Sequence, residues 1–144
     1  NMVNIIPGRV DMTVEVRSTI PEALDWAREE IEIALNKLAI RRDLEANIEW
    51  LQVEQPVPIP LDMQNIILEA AQDIGISTMR LASRASHDAA KLAPIAPVGM
   101  LFIPCKNGRS HCPEEWADID DILTGTQVLA ETLLRLDEYF FKRP

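Results

Sequence analysis

The stretch VGMLFIPCKNGRSHCPEE, residues 98–115, joins an unbroken apolar run to a polar turn that carries a histidine. Val98 to Ile103 has no alternation, as expected of a strand covered on both faces in an α/β layer. Pro104 stops the run, and Gly108 and Pro113 bound a turn with His111 between them. Just beyond a buried strand is where open α/β sheets hold ligands. A neutral imidazole there suits metal ligation, and Glu115 is a carboxylate that would orient or join it. The bland alternative is a surface-turn histidine satisfied by water.

Upstream, Ser83-Arg84-Ala85-Ser86-His87-Asp88-Ala89 gives the only other histidine the same setting, after an expected strand (77–82) and at the mouth of a short helix (about 88–93). His87 is readable as a general acid/base or oxyanion donor. The simpler reading has Ser86 or Asp88 capping the helix with His87 a bystander. Asp62 predicts the cap of another helix, with Met63, Ile66, Ile67, Ala70 and Ile74 inward and Gly75 at its C-terminal end. A last helix is expected from about Ile119 to Phe140, with Asp118, Asp120 and Asp121 at its positive end.

The chain reads differently before residue 55. Val10, Met12, Val14 and Val16 alternate with Arg9, Asp11, Thr13, Glu15 and Arg17, the pattern of a half-buried strand in an antiparallel sheet. A long helix follows, with Thr19 and Glu22 at capping-box spacing and Pro21 in the first turn. Its apolar stripe runs through Ile20, Leu24, Ala27, Ile31, Leu35 and Leu38, and Arg41 and Arg42 fall in the last turn. Ile48, Trp50 and Val53 suggest a second strand. Gln55-Pro-Val-Pro-Ile-Pro60 is stiff and extended and marks the boundary. The expected fold class is therefore α/β (mixed α+β): strand–helix–strand over 1–55, then an α/β segment over 56–144.

Composition narrows the partners. The 144 residues are 47% hydrophobic and 26% charged, enough to bury a core, and the net charge of −9 argues against nucleic acid or an anionic membrane surface. No run is long enough to cross a bilayer, the first residues lack a signal-peptide pattern, and two cysteines make no disulfide framework, so a reduced, cytoplasmic setting is expected. Cys105, His111 and Cys112 lack the spacing of a zinc finger or ribbon. Arg17, ending the first strand on its polar face, has the geometry to grip a carboxylate bidentately, against the plain reading of a solvated charge. Trp26, Trp50 and Trp116 read as core or interface residues.

Four motifs together resemble the hydantoinase/carbamoylase amidohydrolases, the family of N-carbamoyl-L-amino-acid hydrolases, allantoate amidohydrolases and β-alanine synthases. They are Asn-x-x-Pro-Gly (Asn4 to Gly8), Val-Glu-Val-Arg ending at Arg17, Ser-x-x-x-His-Asp-Ala from Ser83, and Gly-x-Ser-His-x-Pro-x-Glu from Gly108 after Phe-Ile-Pro. The resemblance implies a two-domain enzyme cleaving a linear C–N bond of N-carbamoyl or ureido acids with divalent metals (zinc, manganese or cobalt). Residues 1–55 would be half of a lid and dimerisation domain, and 56–144 the C-terminal part of a metallopeptidase-like catalytic domain. His111 would match a metal ligand; Asn4, Arg17 and His87 would match substrate-binding residues. The general base and the other ligands would lie upstream, so the chain alone is expected to bind no metal tightly and to hydrolyse nothing. A homo-oligomer or a further N-terminal half is the expected partner. Arg84, Ser86, Arg109 and Cys112 depart from the family pattern and add bulk or polarity near the expected site. The competing reading is a non-catalytic dimerisation or binding module derived from such an enzyme, and a small zinc-binding regulator is the third.

Overall fold

The computed structural model describes residues 4–141 and resolves into two compact units, the first ending at Pro56 and the second beginning at Val57. The division falls within the proline-rich stretch, whose missing N–H groups and fixed φ keep it out of both helix and ladder. Four helices are present among the described residues: α1 (Pro21–Arg42), α2 (Leu61–Asp73), α3 (Asp88–Leu92) and α4 (Ile119–Phe141). A short 3-10 turn covers Lys106–Gly108.

In the first unit the helix begins one residue later than the capping box requires. Pro21 occupies the first helical position, so Ile20 becomes the N-cap, with no side-chain cap of its own. The Ile20 N–H instead donates to Ser18 Oγ at 3.0 Å. Asp43 closes the helix in the left-handed region at φ 52°, a place usually taken by glycine. Leu44 N–H then reaches back to the Ala39 carbonyl at 3.0 Å. The 48–53 segment is tied to α1 through Trp50, whose Nε1–H donates to Glu32 at 3.0 Å and whose ring lies 5.0 Å under the Arg28 guanidinium. No residue of α1 is buried.

The second unit has a small core. α2 packs on α4, and Met63, Ala70, Ala71, Val98, Gly125, Val128 and Thr132 are the buried ones among the described residues. The helices run in opposite senses: Tyr139 Oη donates to Asp62 at 2.9 Å, while Arg135 on the preceding turn pairs with Asp73 at the far end of α2. Arg135 also meets Glu131 at 3.1 Å and Glu69 at 3.9 Å. Its hydrogen bond to Asp73 is the main reason its pKa lies above the ordinary arginine value, with slight burial opposing. A raised pKa in the folded state means this contribution is complete below the unfolded value and fades only as pH climbs past the folded one, far above neutrality.

The 98–103 segment lies against both helices. A Cβ on Gly99 would come 2.9 Å from Ile67, and one on the buried Gly125 of α4 would run into Ile103. α2 ends in a paired turn built on Gly75 at φ 76°, with Ile76 N–H donating to the Ala71 carbonyl at 2.8 Å and Gly75 N–H to that of Gln72 at 2.9 Å.

The expected sheet is the main difference. Among the described residues, segments 9–17, 48–53, 77–82 and 98–103 carry no strand assignment, and no backbone hydrogen bonds link them into a ladder. A strand exists only through its partner, and alternation fixes which face is apolar without supplying one. Val10, Met12 and Val14 accordingly stand 63–73% exposed. The 98–103 run is not covered along its whole length: Val98 is buried, but Phe102 is 48% exposed. Trp26 and Trp116 are exposed too, and so are not core residues of this chain.

Candidate functional site

His87 is the N-cap of α3, with extended backbone at φ −133° and its carbonyl accepting the Ala90 N–H at 2.9 Å. The His87 side chain itself makes no capping hydrogen bond to the helix. The half-buried ring is held from two directions: its Nε2 lies 2.8 Å from Ser83 Oγ, and its edge meets the Phe102 ring with centroids 5.6 Å apart. Ser83 also accepts the Ala85 N–H at 3.1 Å and donates to the Ala85 carbonyl at 2.9 Å. The 98–103 segment, through Phe102, and the loop from Ser83 together hold this imidazole.

His111 sits in a different environment. Its side chain is exposed and its backbone is left-handed at φ 58°, a conformation that costs a non-glycine residue roughly 1–2 kcal/mol. The surrounding loop holds it there. Lys106 N–H donates to the Trp116 carbonyl at 2.7 Å, Glu115 N–H to that of Cys112 at 3.0 Å, and His111 N–H to the Glu115 carboxylate at 2.7 Å. Glu115 therefore fixes the backbone of His111; its carboxylate is engaged there and not with the imidazole. Arg109 pairs with Glu114 at 3.7 Å. The loop walls an open concavity of about 440 Å³ lined by Lys106, Arg109, Glu114, Glu115 and Trp116 among others.

Asn4 and Arg17 belong to the first unit. Asn4 is an exposed turn residue, and Arg17 is exposed with its guanidinium 2.7 Å from Glu15. Among the described residues no three His, Cys, Asp or Glu side chains converge to hold a metal ion, and Cys105 and Cys112 are free thiols. The residues present do not by themselves fit a metal centre. His111 is at most one donor of such a set, and the trio of Cys105, His111 and Cys112 does not form one.

The sequence reading passed over the part Ser83 plays beside His87. Its signal was the four-residue offset from Ser83 to His87 in a loop with little else to hold an imidazole. Phe102 was read only as an apolar strand residue.

Among the described residues these features describe a helical chain with two histidine-bearing loops, one before α3 and one before α4. The model of peptidase family M20/M25/M40 matches residues 3–135, and the chain belongs to that family. It is 39% identical over 132 residues to an N-carbamoyl-L-amino-acid amidohydrolase of Pseudomonas sp. (strain NS671), an alignment covering 92% of this chain and 32% of that protein. An allantoate amidohydrolase of Bacillus subtilis is 29% identical over 94% of the chain and 33% of its own length. A ureidoglycolate hydrolase of Arabidopsis thaliana is 33% identical over 93% of the chain and 28% of its own length. The chain spans about a third of the length of these curated relatives. No helix among the described residues is long and apolar enough to cross a membrane.

Proposed function

We propose that this chain is the substrate-binding part of a metal-dependent amidohydrolase that cleaves a linear C–N bond in N-carbamoyl amino acids or related ureido acids. The observation that carries the reading is the 39% identity to an N-carbamoyl-L-amino-acid amidohydrolase over 92% of the chain, together with a family match over residues 3–135, which contain all four motifs. In this reading residues 1–55 are half of a lid and 56–144 the end of a catalytic domain. His111 gives one imidazole to a divalent metal whose other ligands, with the general base, come from elsewhere in the protein. Because the described side chains do not complete that centre, the work assigned to this chain is binding and orientation.

Arg17 holds the substrate carboxylate. Its ion pair with Glu15, two residues away, is exposed and worth little in water, and a ligand carboxylate offers the guanidinium bidentate geometry instead. Asn4, near it in sequence, offers amide donors and an acceptor to the same end of the ligand. His87 contacts the carbamoyl or ureido group. In the full-length protein, Arg17→Ala is expected to raise KM for N-carbamoyl amino acids about tenfold or more with a smaller change in kcat, as loss of a charge-assisted contact implies. An unchanged KM removes Arg17 from the site.

A second reading, a non-catalytic dimerisation or binding module of the same descent, is favoured by the open apolar face of Val10, Met12 and Val14. Hydrolysis by the full-length protein that is lost in His111→Asn separates the two.

A further inference from the structure

We propose that Ser83 is a positioning residue that fixes His87 as its Nε2–H tautomer, leaving the Nδ1 lone pair as the ring's acceptor for a ligand N–H. A serine hydroxyl has one proton to give and two lone pairs to accept with. Three groups lie within reach of Ser83 Oγ: the Ala85 carbonyl at 2.9 Å, the Ala85 N–H at 3.1 Å and His87 Nε2 at 2.8 Å. The Ala85 carbonyl can only accept and the Ala85 N–H can only donate. With the hydroxyl proton on the carbonyl, one lone pair takes the N–H and the other takes a proton from Nε2. All three contacts are then satisfied at once. If the hydroxyl instead donated to Nε2, the Ala85 carbonyl would lose its donor from Ser83.

The second ring nitrogen is decided by the first. In a neutral imidazole protonated at Nε2, Nδ1 carries no proton and can only accept. The edge contact with Phe102 opposes rotation of the ring, so the two nitrogens do not exchange places. An acceptor at this position suits the N–H of a ureido or carbamoyl group and does not suit a developing oxyanion. This deepens the role proposed above for His87 and, for its consequence on substrate, rests on it.

The test is the pattern of long-range proton–nitrogen couplings in full-length protein labelled with ¹⁵N-histidine, with the His87 signals assigned by their loss in His87→Asn. The expected result is a protonated Nε2 and an unprotonated Nδ1. In Ser83→Ala the two nitrogen resonances should move toward a common averaged position, and Ser83→Thr, which keeps the hydroxyl, should restore their separation. A ring protonated at Nδ1, or a pattern unchanged in Ser83→Ala, overturns the assignment. The substrate role is read separately, from KM for an N-carbamoyl amino acid. His87→Asn is expected to raise KM about threefold to tenfold, the size of one neutral hydrogen bond. An unchanged KM with the expected couplings overturns the acceptor role toward substrate and leaves the tautomer standing.

Discussion

The first unit covers its apolar stripe only in part, with Leu24, Ala27, Ile31 and Leu35 half-buried and Ile20 and Leu38 more than half exposed, whereas the second hides Ala70, Ala71 and Val128 almost completely. Both regions were read from the same kind of signal, an apolar face at the period of the element. What separates them is whether the chain itself brings something to cover that face. In the second unit it does, because Gly99 and Gly125 let the 98–103 segment approach both helices closely. In the first unit the apolar face of α1 is only half-covered, and the 9–17 segment is exposed throughout. Patterning thus names the face that needs a partner without naming the partner.

The sharpest way to break this contrast is to truncate one apolar residue in each unit. Met63→Ala removes a buried side chain from the α2–α4 core and is expected to cost about 2–5 kcal/mol. Ile33→Ala, on the open face of α1, should cost no more than about 0.5 kcal/mol in this chain. Urea unfolding of both variants measures the difference, and equal losses would mean that α1 is as well covered as α2.

Gly125→Ala probes the close approach itself. The new methyl would collide with Ile103, and overpacking of this kind costs about 1–3 kcal/mol. The better helix propensity of alanine returns up to about 1 kcal/mol, so a net loss is expected. A gain in thermal stability would show that the 98–103 segment does not rest on α4.

The smallest effect has the opposite sign. His111→Gly relieves the left-handed backbone at φ 58° and should stabilise the second unit by about 1 kcal/mol, while His111→Ala should not. A histidine kept where glycine would be easier is held there by something other than folding. Equal stabilities for the two variants would show that the loop is unstrained.

Much of this was legible beforehand, for reasons that differ by element. α4 carries Asp120 and Asp121 in its first turn and an apolar face along its length, and it begins at Ile119 as read. Gly75 was identifiable as a helix stop because a left-handed residue is required there. The Thr19 capping box failed by one residue, since Pro21 takes the first helical position and moves the cap to Ile20. The expected strands are not formed among the described residues: Val10 to Val16 shows a clean alternation, but pairing depends on segments distant in sequence, which periodicity does not reveal. His87 and His111 stand out as candidates in the sequence from their places after apolar runs. Their environments do not, because a serine four residues away and a carboxylate that binds backbone leave no periodic trace.

The most direct test of the account is the metal content of the purified 144-residue chain, measured on the same sample as its hydrolysis of N-carbamoyl amino acids. With only His111 offered as a ligand, the expected result is no stoichiometric metal and no turnover. Bound metal at one ion or more per chain, together with hydrolysis, would contradict the claim that this chain supplies binding residues and a single ligand to a centre completed elsewhere.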